Sequence, residues 1–421
     1  MPQTADLASA VSKARRRLIP FLFLLYIVAY LDRVNVGFAA LQMNEALGLS
    51  AQTYALGAGI FFVSYVAFEI PSNVVLARVG ARLWIARIMI TWGIVSAAMM
   101  FVRGATGFFV MRFLLGAAEA GFFPGIIFYL TRWFPERERA RTVAAFMTAV
   151  LAAGIVGGPV SGALLTLHGA YGLAGWQWLF LLEGLPAVVL GVVVLGALTE
   201  RPEDAAWLST RERTALVRCL AVESSAHGDQ TRTLAAALGN GRVWLLALVY
   251  FTLPVALYAM SFWLPQILKI ASGGSDFEVG VLSAIPYLCG AIGMVATGRH
   301  SDRTGERRWH VAIAAAVGGA AFAASAFVST LAPSLVLLSL AMLGLASMFG
   351  PFWTLATGVV RGVGAAAGIA LINSVGNIGG FVGPYLLGYV RDTTGSFAAG
   401  LISVGIILPL GGALVLLARD E

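Results

Sequence analysis

Asp32, Arg33, Arg112 and Glu119 pose the chemical question, because they stand in stretches that are otherwise apolar or small, "YLDRVNVGFA" and "RFLLGAAEAGFF". Burying such a charge near the centre of an apolar layer costs at least about 2.5–3.5 kcal/mol, so each asks for a partner or a function. The two residue types divide the work. Arginine keeps its proton in proteins, so Arg33 and Arg112 are fixed cations whose planar forks match a carboxylate. A desolvated carboxyl can exchange its proton near physiological pH, which makes Asp32 and Glu119 candidate proton carriers. Arg112 and Glu119 are seven residues apart, which on a helix is two turns on one face and about 10.5 Å along the axis, suited to a relay rather than to contact.

The elements that must position these residues are membrane helices. The 421-residue chain is 59% hydrophobic and 12% charged, far from soluble averages. Apolar runs of roughly 18–25 residues, enough to cross the hydrocarbon layer, recur about twelve times. The one long polar segment, 199–241, divides them six and six, giving an N-terminal bundle (1–198), a linker (199–241) and a C-terminal bundle (242–421). The expected fold is all-α, with twelve transmembrane helices in two pseudo-symmetric six-helix bundles. The first helix places Asp32 about 21 Å from its starting edge, level with Arg112 on the fourth, so an Asp32–Arg112 ion pair is expected.

Of the 28 Lys and Arg residues, only Arg103, Lys269 and Arg391 fall on the face opposite the termini, and Arg33 and Arg112 lie within helices. The rest, from Lys13 through Arg361 to Arg419, share one face. Excess positive charge marks the cytoplasmic side, so both termini are expected inside a bacterial inner membrane. The net charge of +7 is explained by that topology, and no nucleic-acid partner is read into it. The first apolar run is a full span without a cleavage site. Cys219 and Cys289 have no redox spacing, and His168, His227, His300 and His310 form no metal site. No nucleophile, metal cluster or phosphate loop supports an enzyme.

The two halves resemble each other. "NVVLARVGAR" (73–82) aligns with "GRHSDRTGERR" (298–308) at an offset of 225, and Gly154, Gly158 and Pro159 match Gly379, Gly383 and Pro384 at the same offset. A shared offset implies internal duplication, as in transporters built of paired bundles. Under it Asp32, Arg33, Arg112 and Glu119 map to Leu257, Tyr258, Leu337 and Gly344. Charge recognition and proton handling are therefore expected in the first half. The second supplies hydrogen bonds and shape, with Tyr258, Trp353, Asn373 and Asn377 as candidates.

Twelve spans in two such halves resemble the major facilitator superfamily. "YLDRVNVGFA" (30–39), "FEIPSN" (68–73), "RFLLGAAEAGFFPG" (112–125), "WFPERERAR" (133–141) and "INSVGNIGGFVGPYLLG" (372–388) look like its anion:cation symporter branch, and within it like tartrate and sugar-acid uptake proteins. The resemblance implies proton-coupled uptake of a small organic carboxylate by alternating access, by a monomer with protons as coupling ion and no other cofactor. It implies roles for the helix-one Asp–Arg pair and for Arg112 and Glu119, and a pocket lined by Tyr65, Trp353 and Asn373. An aromatic carboxylate is the alternative substrate, favoured if Trp353 stacks on a ring. Proton-antiport efflux is a weaker alternative, raised by G-x-x-x-G-P-x-x-G at 154–162. Glu69 and Glu183 are read as structural or gating. In the second-half loop Asp302 and Arg303 are expected to latch the cytoplasmic side, with Arg78 in the equivalent loop, where Ala77 replaces the expected acid.

Overall fold

The computed structural model describes residues 2–225, 238–359 and 365–418; His227, Arg361 and Arg419 lie outside them. Among the described residues the regular structure is helical. The first half runs α1 (Pro2–Val34), α2 (Val36–Leu47), α3 (Ala51–Val79), α4 (Ala81–Ala98), α5 (Gly104–Glu119), α6 (Phe122–Thr131), α7 (Glu136–Met147), α8 (Ala149–Leu165) and α9 (Gly175–Ala197). After α10 (Thr210–Ser225), the second half runs α11 (Gly241–Ser272), α12 (Asp276–Thr304), α13 (Arg308–Ser325), α14 (Leu331–Val359), α15 (Ala365–Thr394) and α16 (Ala398–Val415). Among the described residues ten helical stretches are long and apolar enough to cross a membrane; Ala149–Leu165 is a shorter apolar helix, and Arg308–Ser325 packs beside α14 and α16.

Helix breaks fall where the sequence permits them. α1 and α2 continue one another through Asn35, whose N–H still reaches Leu31 O at 2.8 Å. The fourth rod is broken just after Glu119. Gly121 adopts φ 88°, a left-handed conformation open to a residue without Cβ, and Ser72 Oγ donates to the freed Ala120 carbonyl at 2.6 Å. Breaks of this kind are tolerated in an apolar layer only where another group satisfies the backbone.

Two seams join the halves, and they are reciprocal. In α8, Gly154 presses on the Tyr287 ring, and Gly162 on Asp276 O and Gly280 of α12. In α15, Gly380 presses on the Phe62 ring, and Gly388 on Ala51 O and Ala55 of α3. Tyr287, Asp276 and Gly280 are the 225-residue partners of Phe62, Ala51 and Ala55, whereas Gly154 and Gly162 pair with Gly380 and Gly388 at 226. This corrects the match of Gly154 and Gly158 with Gly379 and Gly383. Gly379 and Gly383 instead approach Phe251 and Val255 of α11, inside the second half. One residue turns a helix by about 100°, so a string match one position off lands on a different face.

The end of the bundle away from the termini is clasped by polar groups. Asp392 accepts from the first N–H groups of α3, Ala51 at 2.9 Å and Gln52 at 2.8 Å, as an anion at a helix N-terminus. Gln42 Nε2 donates to Asp276 at 2.8 Å, and Lys269 pairs with Asp276 at 2.7 Å. On the terminal face, the ion pairs Arg15–Glu138 and Arg132–Glu200 stay within the first half and its linker.

The expected loop latch takes a different form. Asp302 pairs at 2.7 Å with Arg307, five residues on, not with Arg303, which is exposed like Arg78. The result is a local clasp in one loop, because a tight turn brings its own residues together before it can reach another helix. Where Ala77 lacks a carboxylate, Glu200 supplies one, accepting from Ala81 and Arg82 N–H at 2.9 and 2.8 Å. Glu306 caps α13 in the same way through Trp309 and His310 N–H.

Candidate functional site

A central cavity lies between the halves. Its walls include Tyr26, Tyr30, Arg33 and Tyr65 from the first half and Tyr250, Tyr258, Asn373 and Asn377 from the second. Of the proposed substrate contacts, Arg33, Tyr65, Tyr258, Asn373 and Asn377 therefore meet in one space. The apolar remainder, including Met147, Leu151, Met294 and Phe349, leaves a low-dielectric chamber in which one charge has large reach.

Arg33 is the cation at that wall. It forms a buried ion pair with Glu119 and donates to Tyr258 OH at 2.9 Å. Its guanidinium also lies over the Tyr65 and Phe61 rings, 5.2 and 5.4 Å from their centroids. Arg33 and Tyr258 are 225-residue equivalents, so the duplicated first helices touch across the molecule at this bond.

The expected Asp32–Arg112 pair is not formed. Asp32, 1% exposed, faces away from the cavity and accepts from Trp92 Nε1 at 2.7 Å, Ser96 Oγ at 2.8 Å and Asn35 Nδ2 at 3.4 Å. Consecutive residues on a helix point about 100° apart, and here that rotation turns Asp32 onto α4 while Arg33 faces the cavity. Arg112 is fully buried outside the cavity wall, donates to Ala58 O at 2.9 Å and lies 5.0 Å from the Phe61 ring centroid. Its other guanidinium nitrogens lack a partner. Glu119, the last residue of α5, pairs with Arg33 of α1.

Trp353 is likewise set back: it packs edge-on against Tyr250 at 4.8 Å between centroids, and Tyr250 lines the cavity. Glu69 reaches across to the second half, accepting from Asn373 Nδ2 at 3.4 Å and Ser374 Oγ at 3.3 Å. Sequence reasoning missed Trp92, Ser96 and Asn35 around Asp32, and the far-end clasp of Asp392, Gln42 and Asp276. An indole or amide in an apolar helix is common, and nothing local distinguishes one that binds a carboxylate. Among the described residues no group of three or more His, Cys, Asp or Glu side chains is placed to hold a metal ion.

A chamber between paired bundles, clasped at one end and walled by a single ion-paired arginine, suits binding and release rather than bond chemistry. Comparison with known proteins agrees. The profile of the Major Facilitator Superfamily matches residues 22–384. A provisionally named tartrate transporter of Agrobacterium vitis is 50% identical over 420 residues, covering 99% of this chain and 93% of that one. A quinolone resistance transporter of Acinetobacter baumannii is 43% identical over 397 residues, covering 94% and 91%. The inward-facing, unoccupied crystal structure of a bacterial homologue of the human lysosomal transporter Spinster superposes with a TM-score of 0.78 at 18% identity, covering 96% of each chain, and shares the fold. The chain belongs to the Major Facilitator Superfamily and is a membrane transporter, not an enzyme.

Proposed function

We propose that the protein takes up a small organic carboxylate together with protons, by alternating access of two bundles, 1–198 and 242–421, joined by the linker 199–241. The observation that carries this reading is Arg33 at the cavity wall, neutralised by Glu119 and flanked by Tyr65, Tyr258, Asn373 and Asn377. A buried guanidinium paired with a carboxylate cannot serve a second anion at full strength until the first is neutralised. A proton on Glu119 releases Arg33 for the substrate carboxylate, and a substrate carboxylate on Arg33 favours a proton on Glu119. That reciprocity is the thermodynamic content of symport. The tyrosine hydroxyls and the Asn373 and Asn377 amides then read substrate hydroxyls, which suits a hydroxy acid such as tartrate, the substrate in the relative's name.

With the termini assigned to the cytoplasm of a bacterial inner membrane by their basic loops, the Asp392 and Asp276 clasps close the outer side and this conformer is inward-facing. The transport unit is one chain, with protons as the coupling ion and no other cofactor. Efflux by proton antiport is the second reading, favoured by the relative named for quinolone resistance. The Gly154–Gly162 run, which raised the same reading, serves here as a packing seam, and that use accounts for it without efflux.

The test is ligand-induced thermal stabilisation of the purified protein with tartrate, aldonates, aldarates, an aromatic carboxylate and uncharged sugars. Stabilisation by one carboxylate class, removed by Arg33→Gln, is the expected result. Stabilisation by neutral compounds alone, or unchanged in Arg33→Gln, contradicts it.

A further inference from the structure

Behind Asp32, away from the cavity, lies a second buried carboxyl that the proposed mechanism does not use. Glu183 of α9 is 5% exposed; its Oε1 accepts from Ser161 Oγ at 2.7 Å, and its Oε2 has no partner. The Asn35 side chain stands next to Glu183, with no hydrogen bond formed between them, and donates from Nδ2 to Asp32 at 3.4 Å. Asn35 is 1% exposed and its Oδ1 is likewise without a donor. One amide thus stands between two carboxyl groups, and two buried acceptors are left empty.

Hydrogen-bond inventory decides what is missing. Two carboxylates are acceptors only, and an amide between them offers donors from nitrogen and one acceptor from oxygen. With both carboxylates ionised, the amide oxygen has nothing to accept, and two like charges share a dry site. Turning the amide over exchanges which carboxylate faces the oxygen and leaves the same deficit. One added proton on either carboxyl removes both faults. The other groups facing this site are Trp92, Ser96 and Ser161, all neutral donors, with Glu119 the further carboxyl acting on Asp32, and Arg33, next to Asp32 in the chain, is held by Glu119. Ser96, Ser161 and Glu183 all lie towards the end of the bundle away from the termini, on the side of the polar clasps.

We infer that Glu183 and Asp32 form a carboxyl pair bridged by Asn35 that holds one proton between them, making Glu183 a proton-holding residue of the transporter. This rests on the proton-coupled reading only for its purpose; the proton itself is readable without transport. The experiment is infrared difference spectroscopy of the lipid-reconstituted protein, without substrate, titrated through neutral pH and compared with Glu183→Gln and Asp32→Asn. A protonated-carboxyl band present in the wild type, and lost or shifted in both variants, is expected. Its absence from the wild type, or its survival unchanged in both, overturns the inference. Wild type labelled with isotopically substituted aspartate keeps the test open if either variant fails to fold: Asp32 is the one buried aspartate among the described residues, so a band from the pair shifts in part with the label, and one from Glu69 or Glu119 does not. Proton movement per substrate, measured beside it, tests the transport reading separately. A wild type that moves no protons yet shows the band refutes the symport and keeps the pair. In a coupled protein, Glu183→Gln is expected to spare substrate exchange and shift the pH profile of net uptake, and an unchanged profile would count against the pair.

Discussion

The two halves bring equivalent backbone to the same cavity and different chemistry to its wall. At one pair of equivalent positions the first half places Arg33 and the second Tyr258, and these two are bonded to each other. Glu119 has Gly344 as its counterpart, and Asp32 has Leu257. A single ion-paired cation facing a hydroxyl puts the charged group on one wall and leaves the opposite wall neutral. Two facing arginines would repel each other in the empty state. The duplicated scaffold thus keeps its packing in both halves, while the buried carboxyls among the described membrane-helix residues, Asp32, Glu69, Glu119 and Glu183, all lie in the first.

The sharpest way to break this contrast is Arg33→Ala. Leaving Glu119 buried without its partner should cost about 3–5 kcal/mol of stability, read by denaturation in detergent, and abolish uptake. Adding Glu119→Gln should recover most of the stability and none of the uptake. Second in size are the seams: Gly154→Val and Gly380→Val should each cost about 1–3 kcal/mol and raise labelling of a cysteine placed at the clasped end, because both wedge the halves apart. Gly379→Val should destabilise without changing that labelling, since Gly379 packs inside one half.

The neutral half predicts a smaller effect. Tyr258→Phe removes one bond to a charged group, worth about 1.5–3 kcal/mol, and should weaken substrate binding by roughly tenfold or more in a binding titration. Trp353→Phe, one ring behind the wall, should change affinity by less than about twofold, the size expected of a conservative change away from the ligand.

The smallest effect belongs to the linker. Glu212 accepts from Lys13 Nζ, Ser9 Oγ and Ser209 N–H, which hold its carboxyl down at about 2, below the ordinary carboxylate value. A depressed folded value means the clamp contributes fully above the unfolded value of about 4.3 and loses its contribution as pH falls towards 2. Lys13 is half-exposed, so Lys13→Ala should cost under about 1 kcal/mol at neutral pH, with the difference from wild type vanishing in acid.

Much of this was legible in the sequence, and the misses have physical causes. The apolar spans follow from run length, Arg33 from its charge in an apolar stretch and Tyr258 from the offset, whereas Tyr65 and Asn373 come from the family resemblance. Pairing did not follow. Depth along a helix placed Asp32 level with Arg112, but rotation about the axis decides contact, and Asp32 and Arg33 point to different sides. The break after Glu119 had its signal in Gly121 and Pro124, a glycine able to leave the helix and a proline able to restart it. The clasp at Asp392 had none, because its partners are backbone N–H groups 341 and 340 residues away.

The most direct measurement is lumenal pH in proteoliposomes when a carboxylate substrate is added outside at matched pH. Proton symport predicts acidification of the lumen with wild type and none with Glu119→Gln, which should still exchange substrate. Alkalinisation, or substrate accumulation with no pH change, would contradict proton-coupled uptake.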